Sequence, residues 1–98
     1  MIIILLNSIV ELDEEALKTS LINAMMTRFK SVLIKHRIQI VKNELLEDNC
    51  EHYIIILYTE FDYTTKTEKE QYNTRLQELL ELTLSSQYDA SEFKLIEA

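Results

Sequence analysis

Two short stretches of this chain are apolar on both sides, and they narrow its possible folds more than any other feature. Every residue of 2–6 and of 53–58 is Ile, Leu or Tyr. Such short runs read as strands, in which alternate side chains point to opposite faces of a sheet. In residues 1–12, Ile2, Ile4, Leu6 and Val10 share one face, and Ile3, Leu5 and Ile9 the other. In residues 53–62, Tyr53, Ile55, Leu57 and Phe61 share one face, and Ile54, Ile56 and Tyr58 the other. A strand that is apolar on both faces belongs in the middle of a sheet and has to be covered twice.

The remaining elements follow from periodicity and caps. Asp13 is an N-cap candidate, and Glu14 and Glu15 behind it favour the positive end of a helix. Leu17, Leu21, Met25, Phe29 and Val32 then recur at helical spacing, with Ile22, Met26 and Leu33 widening the stripe. The continuous stripe places the end of this helix near Lys35, although Val32 and Ile34 argue for an earlier strand. Residues 37–46 alternate in part and read as a second strand, joined to 53–62 by the polar turn 47–51. Thr65 with Glu68, or Thr67 with Glu70, can cap a second helix. That helix is lined by Tyr72, Leu76, Leu79, Leu80, Thr83 and Leu84. Residues 92–97 make a last short strand after the loop 87–91.

The order is strand, helix, strand, strand, helix, strand over one domain, residues 1–98. Two split βαβ units of this kind imply an α+β, ferredoxin-like βαββαβ sandwich: a four-stranded antiparallel sheet with two helices on one face. Right-handed crossovers put the first and third strands in the centre. These are the two strands that are apolar on both sides. The helices cover one sheet face, so the other carries large apolar side chains toward solvent, which soluble monomers rarely tolerate. Covering several hundred Å² offers about 10 kcal/mol of gross driving force, before association costs. The expected cover is a second copy, giving a homodimer through Ile4, Leu6, Ile54, Ile56 and Tyr58. Parity alone leaves open which of the two sheet faces lies beneath the helices. A chain segment folded over the face is the alternative cover.

Composition limits the chemistry. With no Gly and no Pro, Gly-rich phosphate loops and dinucleotide fingerprints are excluded, and turns fall to Asn, Asp, Ser, Thr and His. A chain rich in Ile, Leu, Lys, Glu and Asn also fits an AT-rich coding source, such as a bacterium, phage or mobile element. No uncharged run is long enough to cross a bilayer, and no basic lead-in precedes the first apolar run. The single cysteine, Cys50, fits a reducing, cytoplasmic setting. Asp48, Cys50 and His52 are spaced like possible metal ligands, but a second pair is missing and no metal or cofactor is expected. Acidic neighbours leave Cys50 without thiolate activation, and no catalytic constellation stands out, so no enzyme is expected.

Charge is unevenly spread along this chain of net charge −7. Residues 16–43 contain Lys18, Arg28, Lys30, Lys35, Arg37 and Lys42 and no acid. Arg28, Lys30, Lys35, Arg37 and Lys42 are therefore candidate nucleic-acid contacts, against which stand the net acidity and the lack of an RNA-binding consensus in the third strand. Glu44, Glu47, Asp48 and Glu51 form an acidic group suited to a basic protein partner, as in an inhibitor that mimics nucleic acid. The leading expectation is a non-catalytic protein-interaction module that pairs with itself and binds a protein partner.

Overall fold

A computed structural model describes residues 1–44, 49–88 and 91–97. The elements are β1 (Ile2–Ser8), α1 (Glu14–Phe29), β2 (Leu33–Asn43), β3 (Glu51–Phe61), α2 (Lys66–Gln87) and β4 (Ser91–Glu97). The strands form one antiparallel sheet in the order β2-β3-β1-β4. Both helices pack on one side of it. This is the ferredoxin-like sandwich, with the two doubly apolar strands in the centre.

The helices start where the caps indicate. Asp13 accepts hydrogen bonds from the amides of Glu15 and Ala16. The Thr65 hydroxyl accepts from the Glu68 amide at 3.1 Å. The reciprocal half of a capping box is displaced by one residue, because the Glu68 carboxylate accepts from the amide and hydroxyl of Thr64. These bonds satisfy backbone donors that have no partner inside the helix.

Three boundaries differ by four residues or more from the sequence expectation. β1 stops at Ser8, short of residue 12, and the Ser8 hydroxyl accepts from the Val10 amide at 3.2 Å as the chain turns. The Tyr53 hydroxyl then accepts from the Leu12 amide at 2.8 Å and ties this connection to the sheet. α1 ends at Phe29, well before Lys35, and β2 begins at Leu33 rather than Arg37. The reason is tertiary: the Val32 carbonyl accepts from the Asp62 amide at 2.7 Å, and Leu33 pairs with Phe61. Sheet pairing of this β-branched stretch overrides the helical stripe. Among the described residues none has positive φ, so their turns are made without the left-handed region that glycine favours.

Between sheet and helices lies the core. Leu17, Leu21, Met25 and Phe29 of α1, with Leu76, Leu80 and Leu84 of α2, close over Ile2, Ile4, Leu6, Tyr53, Ile55, Leu57 and Phe61. Fully burying each such aliphatic side chain is worth about 1.5–3 kcal/mol before entropy costs. Phe29 meets Phe61 edge-on at 5.2 Å between ring centroids, and Phe61 meets Tyr72 at 5.4 Å. Buried Thr83 satisfies its hydroxyl by donating to the Leu79 carbonyl at 2.8 Å. No described helix is long and apolar enough to cross a membrane.

Candidate functional site: the open sheet face

The strand register fixes which side chains share the uncovered face. Directly paired residues of an antiparallel ladder point the same way. Ile3 pairs with Ile56 and with Ile96, and Ile56 pairs with Gln39. Leu5 pairs with Ile54 and Lys94, and Ile54 with Val41. Arg37 pairs with Tyr58 at one end of the face. At the other end Asn43, His52, Asn7 and Glu92 form a polar row, in which His52 Nδ1 lies 2.6 Å from Asn7 Oδ1. The centre of the face is Ile3, Leu5, Val41, Ile54, Ile56, Tyr58 and Ile96. Tyr58 is 44%, Val41 42%, Leu5 38% and Ile96 37% exposed. Ile3, Ile54 and Ile56 are partly buried by these neighbours.

Ile54, Ile56 and Tyr58 therefore lie on the open face, but Ile4 and Leu6 do not. Both are 0% exposed and sit under the helices, paired with Ile55 and Tyr53. The β1 residues that do belong to the open face are Ile3 and Leu5, joined by Val41 and Ile96 from the flanking strands. A cue in the sequence could have found them. Asn7 has the parity of Ile3 and Leu5, and His52 that of Ile54, Ile56 and Tyr58. The polar residue at each strand's end marks the solvent side, and matching those ends pairs the faces correctly.

The basic candidates do not form one surface. Lys35 and Arg37 stand on the open face at the β2 edge. Arg28 lies on the helical layer, beside Arg75, Glu78, Leu79 and Leu82. Lys30 is the C-cap that follows α1. Lys42 points to the helix side and is held by two carboxylates, Glu51 at 3.0 Å and Glu11 at 3.3 Å. The hydrogen bond that its ammonium donates to Glu51, and then the one to Glu11, raise its pKa above the ordinary value. Of the acidic candidates, Glu44 is exposed and Glu51 is engaged with Lys42, while Glu47 and Asp48 lie outside the described residues. Among the described residues no group of three His, Cys, Asp or Glu is placed to hold a metal.

No protein-family model matches this sequence, and no curated protein matches it. Among solved structures, a formyltetrahydrofolate deformylase from Pseudomonas putida KT2440 is similar over 99% of this chain, at 11% identity and a TM-score of 0.33. The chain spans 28% of that protein's length. A likeness at this level carries no functional argument, and the fold assignment rests on the strand order and helix placement above.

Proposed function

We propose that the protein is a cytoplasmic, non-catalytic interaction module that pairs with a second copy of itself through the open sheet face. The observation that carries this reading is the block of seven large apolar side chains, from Ile3 to Ile96, on the uncovered side of the sheet. Together they leave on the order of 400 Å² of surface open, mostly apolar, within the range of the largest patch on a typical monomer. A standard interface takes about 800 Å² from each partner, so pairing engages the polar rim as well as the apolar centre. A two-fold contact needs a surface that complements itself. This one has an apolar centre and carries both signs at its rim: Lys35, Arg37 and Glu60 at one corner, Glu92 and Lys94 along the opposite edge. Its side chains are of the kind that bury surface rather than react, which favours binding over catalysis.

The nucleic-acid reading loses support because Lys42 is neutralised by Glu11 and Glu51 and the other cations are scattered. Substituting Ile56→Glu places a charge at the centre of the apolar block. Light scattering should then show a folded particle of half the wild-type mass. An unchanged mass for a folded Ile56→Glu variant would overturn the proposal.

A further inference from the structure

The corner of the open face at the β2 edge has a chemistry of its own. A cavity of about 410 Å³ is lined there by Met1, Lys35, Arg37, Gln39, Ile56 and Tyr58. That volume lies within the range of small-molecule sites, about 300–1,000 Å³, and well above what a lone ion needs. Lys35 and Arg37 are two residues apart on β2 and project to the same side. Among the described residues neither makes an ion pair, whereas Lys42 on the same strand makes two. Glu60 is the cross-strand neighbour of Lys35, yet it stands outside ion-pair distance of that ammonium and does not line the cavity.

Opposite the cations the lining is apolar and aromatic. Tyr58, the cross-strand partner of Arg37, keeps 44% of its surface exposed, and Ile56 and Met1 extend the apolar wall. A guanidinium grips a carboxylate or phosphate through paired hydrogen bonds. A ring beside it favours a flat apolar body, and the Gln39 amide adds a donor and an acceptor. We infer that this corner binds a small aromatic acid, its anionic head on Arg37 and Lys35 and its ring against Tyr58 and Ile56. Ile56 and Tyr58 also belong to the proposed pairing face, so a bound acid and a second copy compete for this corner, and the inference is decided on the unpaired chain.

The test is titration of the ¹⁵N-labelled full chain with phenyl phosphate and with benzoate, each to about 5 mM, followed by amide shifts. Inorganic phosphate and phenol serve as the two half-ligands. At least one aromatic acid should produce saturable shifts centred on residues 35–39 and 56–58. Arg37→Ala should weaken that binding roughly tenfold, with Arg37→Lys intermediate and each half-ligand at least roughly tenfold weaker than the whole. Which acid binds tighter tells a carboxylate head from a phosphate head. Repeating the titration on Leu5→Glu, which opens the pairing face without touching the cavity, separates loss of pairing from loss of binding. Absence of saturable shifts for both acids in Leu5→Glu, shifts indifferent to Arg37→Ala, or inorganic phosphate binding as tightly as phenyl phosphate would overturn the inference.

Discussion

The two faces of this sheet are built from nearly the same residues and meet opposite fates. Ile2, Ile4 and Leu6 alternate along one strand with Ile3 and Leu5, and Tyr53, Ile55 and Leu57 alternate with Ile54, Ile56 and Tyr58. The first set in each strand is sealed beneath two helices. The second faces outward. Hydrophobicity does not distinguish them; the crossover connections do, because they carry both helices to one side. The outward set then has the composition of a core without its second layer. What differs is the fringe. The covered face ends in buried Ser8 and in Tyr53, which fastens the β1–α1 connection. The open face ends in Asn7, His52, Arg37 and Lys94, which suit water or the rim of an interface.

Putting one charge into each face breaks this comparison most sharply. Ile4→Asp buries a carboxylate at a fully enclosed site and should cost at least about 4 kcal/mol, enough to unfold a small domain. Ile3→Asp, one residue away, should leave a folded chain by circular dichroism and abolish pairing. Equal destabilisation of the two in urea would contradict the assignment of faces. A gentler version uses the tyrosines. Tyr53→Phe strips the Leu12 amide of its acceptor and should cost about 1–2 kcal/mol, against less than about 0.5 kcal/mol for Tyr58→Phe measured as monomer.

The caps that aim the helices at the covered face come next. Thr65→Ala should cost about 1 kcal/mol in thermal or urea unfolding. The smallest effect is a pH dependence at the same helix start. Bonds from the Thr64 hydroxyl and amide, and then from the Tyr72 hydroxyl, hold the Glu68 carboxyl below its ordinary value near 4.5. A depressed carboxyl contributes stability above its unfolded pKa and loses it as pH falls through the folded one. Acid unfolding of Glu68→Gln should therefore be shallower below about pH 4.5 than that of the wild type; identical acid profiles would show that these bonds do not act on stability.

Element order and topology were legible because they rest on long signals: five-residue apolar runs, four-residue helical spacing and capping residues. The faces were not, since a strand apolar on both parities looks the same from either side, and a one-residue error exchanges core and surface. Pairing Ile4 and Leu6 with Ile54 and Ile56 was that error. The only cue against it was a single polar residue at the end of each strand, Asn7 and His52, now seen in contact. The end of α1 was obscured for a different reason. Val32 and Leu33 continue the helical stripe, and only Asp62 and Phe61, about thirty residues on, draw them into the sheet.

Sedimentation equilibrium of the unmodified chain at micromolar concentration tests the central claim most directly. The account predicts a particle of twice the 11.6 kDa chain mass, reverting to one chain in Ile56→Glu. A wild-type mass of one chain throughout that concentration range would contradict it, and the apolar face would then stand bare in solution.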